Sequence, residues 1–263
     1  MRLGLALPVG DEAAAAAAAE AAGCAAVLVE ATGGAAVPAA AAAVVRTCLV
    51  RVAFPVRLGS DHPVTLAEDV AVLDNLSSGR IVAVVDTGDL GPEEAAEDLS
   101  VLLAALTPRP VRHDGSRWRV PAGLEGHRAP DRIEVTPKPV QVEVPVWIRG
   151  AAADALDPAL PRLVADRGRV DPERRVQPAV AELAGTADAL DADRDAVVAW
   201  ADAGATHLLV RFPDPAEGLP LLGRFLAPEV AMPEFPRVIA EADPPPPWPG
   251  PARYVTPPQE ARP

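Results

Sequence analysis

The sequence reads AEAAGCAAVLV at residues 19–29 and WADAGATHLLV at residues 200–210. In both places the end of an alanine-rich helix is followed by a glycine and then by a short apolar strand. The glycine suits a helix C-terminus, because it adopts the left-handed backbone conformation without a steric penalty. Strands that alternate with helices form parallel sheets. The repeated pattern therefore predicts an α/β fold.

Further segments between these two stretches continue the alternation. The helix predicted at residues 63–76 has the clearest pattern, since Pro63 suits its first position and Gly79 lies just past its end. The remaining predicted helices are residues 11–22, 92–106 and 187–203. The predicted strands are residues 3–7, 25–29, 49–54, 80–85, 145–149, 175–183 and 207–211.

Seven strands and a polar gap at residues 166–171, where another strand is expected, predict a (β/α)8 TIM-type barrel that is incomplete around strand 6. Residues 107–144 form an excursion between strands 4 and 5, with a short hairpin around Trp118. A doubly wound open sheet is the alternative, because one sequence does not give strand order. We expect the barrel domain to span residues 1–242. Residues 243–263 form a tail in which nine of the last 20 residues are proline.

The composition restricts the kinds of molecule that the protein is expected to bind and the compartment in which it is expected to lie. The formal charge of −13 and the lack of a Lys/Arg run argue against nucleic acid as a partner. The longest apolar run is too short to span a membrane, and Asp11 and Glu12 interrupt the start of the chain where a signal peptide would continue. Two widely spaced cysteines suit a reducing cytoplasm. The four histidines lack metal-ligand spacing, so we expect no metal.

Three blocks of sequence resemble the luciferase-like monooxygenase family, of which the chain looks like a shortened, divergent member. HPVTLAEDVAVLDNLSSGRIVAVVDTG, residues 62–88, is similar to the family's helix and fourth strand, with its LD.LS.GR pattern. VRHDGSRWRVPAG and VTPKPVQVEVPVWIRGAA, within residues 111–152, resemble its excursion and fifth strand. DPERRVQPAVAELAGTADAL and ADAGATHLLVRFP, within residues 171–213, resemble its closing strands.

The resemblance implies a barrel that binds FMN or the deazaflavin coenzyme F-420 at its C-terminal mouth and reacts with a small organic substrate. It places Thr87 and Gly88 beside the cofactor. Several residues depart from the family's pattern: Asp86 follows Val84 at a strand end that is usually glycine-rich, Arg149 and Gly150 replace two glycines, and Glu30 stands where many relatives carry histidine.

Gly185 and Thr186 lie between a strand and a helix, where barrels commonly bind phosphate, although a tight turn and a helix cap also explain them. Arg211 offers a guanidinium to the same phosphate, or forms a salt bridge with a nearby acid such as Asp214. Glu30 is the first candidate for a general acid or base, and Asp86 is the second.

Three functions follow from these residues. The first is a flavin- or deazaflavin-dependent oxidoreductase, in which either cofactor could have been lost. The second is a catalytically degenerate barrel that partners an active relative, which the departures at the mouth favour. The third is an unrelated isomerase or lyase with a retained acid/base pair. We expect a homodimer, or a heterodimer with a related barrel.

Overall fold

The computed structural model describes residues 1–123 and 130–226. Seven parallel strands form one curled sheet in the order β7-β4-β3-β2-β1-β9-β8, and β5 and β6 form a separate antiparallel hairpin. The strands are β1 (Arg2–Leu7), β2 (Ala26–Val29), β3 (Arg51–Arg57), β4 (Ile81–Asp86), β5 (His113–Asp114), β6 (Arg119–Val120), β7 (Val146–Arg149), β8 (Pro178–Glu182) and β9 (His207–Arg211). The helices are α1 (Glu12–Ala21), α2 (Ala36–Arg46), α3 (Pro63–Ser77), α4 (Pro92–Leu106), α5 (Leu190–Asp202) and α6 (Pro215–Leu221).

A short segment, the seam (residues 161–164), joins β8 back to β7. It bridges Ile148 on one side and Ala179 on the other in parallel orientation. The barrel that is incomplete around strand 6 is therefore confirmed, and the seam is the remnant of that strand. The remnant precedes residues 166–171, where a 3-10 turn (Arg167–Arg169) lies instead. The seam's bonds are Ile148 N to Pro161 O (2.8 Å), Leu163 N to Ile148 O (2.9 Å), Val164 N to Pro178 O (3.1 Å) and Val180 N to Val164 O (2.8 Å).

Helices cover the two halves of the barrel unequally. The first four strands are each followed by a helix, α1 to α4, whereas β7 is followed only by a 3-10 turn (Ala153–Ala155) before the seam. The sequence patterns did not single out α2 or α6, and β3 begins two residues later than predicted. The predicted hairpin around Trp118 is confirmed. No helix in the described ranges has the length and apolarity to cross a membrane.

The strands alternate between an outer layer under the helices and the interior of the barrel. The interior is filled mainly by small side chains such as Ala6, Ala26 and Ala53, together with the large Trp147, which is only 2% exposed. Small residues on several strands leave room for one indole, which fills the centre of the barrel. Because the interior is packed with side chains, the two cavities described below lie at the strand ends rather than inside the barrel.

Two buried polar residues from the family-like blocks stabilise the first half. The guanidinium of Arg80 donates to the carbonyls of Val44, Thr47, Val50 and Ser77 at 2.8–3.1 Å. These contacts hold the end of α2 and the start of β3 against the end of α3. Arg80 is 2% exposed, so its charge is stabilised by this ring of carbonyl oxygens rather than by water.

Asp74 connects α3 to the excursion. Its carboxylate accepts hydrogen bonds from the backbone N–H of Gln141 at 2.9 Å and from that residue's side-chain amide at 2.7 Å. Burial raises the pKa of Asp74, and the Gln141 hydrogen bonds oppose that rise. The aspartate of the LD.LS.GR pattern and the glutamine of PKPVQ therefore form one buried contact between distant segments.

The hairpin of β5 and β6 packs on the N-terminal half of α4. Glu97 accepts hydrogen bonds from the hydroxyl of Ser116 at 2.7 Å and from the amide of Trp118 at 2.8 Å. The Ser116 hydrogen bond is the largest of the contacts that lower the pKa of Glu97 to about 2. Asp98, fully buried, accepts from Arg117 Nε at 2.8 Å and from the Trp118 indole. The excursion is thus fixed to α4 by two neighbouring carboxylates.

Candidate functional site

Five charged side chains meet at the C-terminal mouth of the barrel. Each follows an interior-facing residue by two positions, so strand alternation directs it above the packed interior. The sequence identified four of the five as site residues, and Glu182 was missed because it is exposed and belongs to no family-like glycine or loop motif. The five residues are Glu30, Asp86, Arg149, Glu182 and Arg211.

Arg211 is engaged by two carboxylates. Its Nε lies 2.9 Å from one oxygen of Glu30, its Nη2 contacts the other oxygen, and its Nη1 lies 2.9 Å from Glu182. The Glu30 hydrogen bonds are the largest cause of a raised pKa at Arg211. The salt bridge expected with a nearby acid is present, but its partners are Glu30 and Glu182 rather than Asp214, whose side chain caps α6 by accepting from the amide of Ala216. Glu30 can therefore serve proton transfer only after Arg211 releases it.

Asp86 and Arg149 form the second pair, across neighbouring strands β4 and β7. Arg149 Nε donates to one Asp86 oxygen at 3.0 Å, and the amide of Gly88 donates to the other at 2.9 Å. Within the described part of the chain, Nη1 and Nη2 of Arg149 have no hydrogen-bond partner. The side chain is 26% exposed, so the guanidinium is held by one edge and open at the other.

The loops beneath this pair are held together by Thr87 and Gly150. The fully buried Thr87 donates its N–H to the Arg149 carbonyl at 3.0 Å, and its hydroxyl oxygen accepts from Ala152 at 3.3 Å. Gly150 has φ +109°, and a Cβ there would lie 2.3 Å from the Thr87 hydroxyl oxygen. Both residues pack the strand ends, and Thr87 exposes no group to a ligand.

The predicted phosphate loop at Gly185 and Thr186 has an internal partner. The side chain of Asp193 is buried, with 5% exposure, and its carboxylate accepts hydrogen bonds from the amides of Ala184 at 2.9 Å and Gly185 at 2.8 Å. Gly185 has φ +68°, which glycine tolerates best. Thr186 precedes a 3-10 turn (Ala187–Ala189) without a side-chain capping bond. Asp193 was missed by the sequence reasoning, because no spacing rule connects it to the turn.

Two cavities open at the mouth on either side of the Asp86–Arg149 pair. The larger, about 580 Å³, has Leu28, Leu163 and Val180 as its apolar floor, with Glu30, Glu182 and Arg211 at its rim. The smaller, about 280 Å³, lies by the loop after β2 and by the start of α3, where Asp61 and Asp69 line it. Arg149 lines both cavities. The larger volume is in the range of small-molecule sites.

The described histidines act in the scaffold. His62 caps α3 by accepting from the amide of Val64 at 3.1 Å, and His113 lies 3.1 Å from Glu97. His207 begins β9, is 3% exposed and contacts Arg2 at 3.1 Å. Burial is the largest cause that lowers its pKa to about 3, followed by nearby positive charges. His127 lies outside the described residues. None of the three described histidines reaches the mouth.

The fold and the mouth define the protein as an incomplete parallel α/β barrel with a small-molecule cavity at its strand ends. Residues 3–169 match the luciferase-like monooxygenase family, a span that includes the first two family-like blocks. The chain belongs to this family. No curated protein matches the sequence.

Several solved structures have the same fold, and this chain matches nearly the whole length of each of them. The coenzyme F420 dependent tetrahydromethanopterin reductase from Methanopyrus kandleri has a TM-score of 0.63 and 13% identity, over 86% of this chain and 98% of that chain. An F420-dependent secondary alcohol dehydrogenase has a TM-score of 0.64 and 15% identity, over 88% and 99%. A monooxygenase from Streptomyces bottropensis has a TM-score of 0.64 and 16% identity, over 88% and 100%. At these identities the likeness establishes the fold.

Proposed function

We propose that this chain is a catalytically degenerate luciferase-like barrel that does not hold FMN or deazaflavin F-420 as a resident cofactor. One observation carries the proposal: the loop amides and the Arg211 guanidinium, which are the groups expected to bind the cofactor phosphate, are engaged by the chain itself. The carboxylate of Asp193 accepts hydrogen bonds from the amides of Ala184 and Gly185. All three guanidinium nitrogens of Arg211 donate to the carboxylates of Glu30 and Glu182.

The charges at the mouth support the same reading. Three carboxylates, Glu30, Asp86 and Glu182, surround two guanidinium groups. A flavin phosphate is close to a dianion, and its repulsion from carboxylates doubles relative to a monoanion at the same distance. The residues present therefore do not fit the phosphate end of FMN.

A second candidate is the oxidoreductase or monooxygenase itself, acting on a small organic substrate with reduced FMN or deazaflavin. The cavity of about 580 Å³ and the open edge of Arg149 favour it. Two solved neighbours are described as F420-dependent enzymes, and this chain shares their fold. In this case Glu30 or Asp86 would serve the proton step once its arginine partner releases it.

Cofactor titration separates the two candidates. The purified protein is mixed with FMN and with F420, each oxidised and reduced, up to high micromolar concentration. Absorption spectra and the melting temperature are recorded, with riboflavin as a control that lacks the phosphate. We expect no saturable change with any of them. Saturable binding of FMN or F420 would overturn the proposal and favour the second candidate.

The Asp193→Ala variant sharpens this experiment, because it frees the amides of Ala184 and Gly185. If Asp193 blocks the anion site, FMN binds the variant more tightly than the wild type, while riboflavin does not distinguish them. Equal behaviour of FMN toward both proteins would remove Asp193 from the explanation.

The degenerate barrel is also proposed to be cytoplasmic and to pair with a related, active barrel or with a second copy of itself. The smooth alanine-rich helices support close packing of this kind. Co-expression with a longer family member from the same genome, followed by mass photometry of the purified protein, tests the pairing. A strict homodimer with its own turnover would exclude the inactive-partner role.

A further inference from the structure

The two arginines at the mouth differ in the nitrogens that they leave open. Arg211 has all three nitrogens paired with Glu30 and Glu182. Arg149 is paired only through Nε, and its Nη1 and Nη2 have no partner within the described ranges. The Arg149 side chain is 26% exposed and lines the larger cavity, so these two nitrogens are accessible to solvent and to a ligand that offers an acceptor.

The open edge of Arg149 has a fixed orientation. Asp86 holds Nε at 3.0 Å, and Asp86 is itself held by the amide of Gly88 at 2.9 Å. The backbone below is fixed as well, because the buried Thr87 hydrogen-bonds the Arg149 carbonyl. Little side-chain entropy remains to be lost on binding, so the guanidinium is preorganised for a ligand.

We propose that the larger mouth cavity binds a small organic carboxylate. Its carboxylate accepts from Nη1 and Nη2 of Arg149, and its apolar body rests on Leu28, Leu163 and Val180. The planar guanidinium edge matches the two oxygens of a carboxylate, which gives two parallel charge-assisted hydrogen bonds. The apolar floor then favours a ligand with a hydrocarbon body.

The surrounding charges select a monoanion. Glu30, Asp86 and Glu182 lie around the mouth, and their repulsion weighs more heavily against a phosphate dianion than against a carboxylate. A neutral ligand would leave the open nitrogens without a charged acceptor. The inference goes beyond the proposed loss of flavin, since it states which molecule the mouth accepts instead.

The test uses hexanoate and hexanamide as probes, which have the same shape and differ in charge at neutral pH. Isothermal titration calorimetry on the full chain measures both. One bidentate charge-assisted pair corresponds to a preference for hexanoate of about tenfold or more. Arg149→Gln abolishes the preference, and Arg149→Lys keeps a weaker one because lysine carries the charge without the planar edge. Arg119→Gln, on the exposed hairpin, is the matched control and leaves binding unchanged.

Several outcomes would overturn the proposal. These are equal binding of both probes, absence of hexanoate binding, or hexanoate binding that survives in Arg149→Gln while its thermal unfolding matches the wild type. Binding of inorganic phosphate or FMN through Arg149, without hexanoate binding, would assign the open edge to a cofactor phosphate. The flavin titration has separate probes, so failure of that proposal is distinguished from failure of this one.

Discussion

The first half of the barrel, residues 1–106, and the second half, residues 107–226, differ in how complete they are. Each of the first four strands is followed by a helix, and the buried Arg80 and Asp74 connect their ends. The second half has lost helices around the seam, and it contributes Arg149, Asp193 and Arg211 to the altered mouth. The first half keeps a helix after every strand although Glu30 and Asp86, two of the residues that depart from the family's pattern, lie in it, so a complete scaffold does not preserve the site above it.

The largest expected effect breaks the first half. Arg80→Met removes the guanidinium that donates to the carbonyls of Val44, Thr47, Val50 and Ser77. We expect the free energy of unfolding to fall by about 3–5 kcal/mol, or the protein not to fold. Urea denaturation followed by circular dichroism measures it.

The matched control for Arg80 lies in the second half. Arg169 pairs with Asp154 on the surface, where its side chain is 59% exposed, so Arg169→Met should cost less than about 1 kcal/mol. If both variants lose similar stability, the contrast between the halves is wrong.

The second effect concerns the loop before α5, whose amides donate to Asp193 in the second half. Asp193→Ala removes the acceptor for the amides of Ala184 and Gly185, which should cost about 2 kcal/mol. Asp195→Ala, an exposed position on the same helix, is the control and should change little. Inorganic phosphate should raise the melting temperature of Asp193→Ala more than that of the wild type. A loss for Asp193→Ala no larger than for Asp195→Ala would contradict the assigned role.

The third effect is a pH dependence at the other end of the barrel, where His207 of the second half meets Arg2 of the first. The pKa of His207 is lowered to about 3 in the folded state, so the unfolded chain takes up the proton first as pH falls. Stability is therefore full above pH 6.5 and is lost between about pH 6.5 and 3, at up to about 1.4 kcal/mol per pH unit.

Urea denaturation at pH 7.5 and 5.5 measures this contribution. The wild type should lose about 1.4 kcal/mol from His207 between the two values, and His207→Gln should lose that much less. Parallel pH profiles of the two proteins would show that folding does not lower the pKa of His207.

The smallest effect concerns the ion pairs at the mouth. Glu30→Gln removes a charge partner from Arg211, which keeps Glu182 and is 42% exposed. Solvent screens such pairs, so we expect a loss below about 1 kcal/mol in urea denaturation. A loss above that of Asp193→Ala would mean that the mouth stabilises the fold rather than serving a site.

The sequence predicted the fold where local signals were strong. Proline at the start of α3, glycine after several helices and apolar runs at β4 and β9 locate these elements within a residue or two. It missed α2, which has Pro38 in its first turn and an almost uniform alanine face without a stripe. It did not single out the seam, because four residues with two bridges leave no periodic pattern.

The sequence predicted most of the residues that lie at the mouth, but it did not predict which ion pairs and hydrogen bonds they form. Glu30, Asp86, Arg149 and Arg211 all lie at the mouth, since barrel strands bring their C-terminal ends together. Which arginine is satisfied and which is open depends on side-chain geometry across strands. The contact of Asp193 with the loop before α5 likewise requires the turn that brings two segments together.

The seam gives the barrel one weak place in its wall. Strands β8 and β9 are joined along five residues, whereas the seam has two hydrogen bonds to each neighbour. We expect the free energy of local opening to be lower at the seam than elsewhere in the sheet. Amide protons of Leu163 and Val180 should therefore exchange with solvent before those of β1 or β4. The seam completes the wall of the barrel, and this wall can open locally beside the larger cavity without global unfolding of the protein.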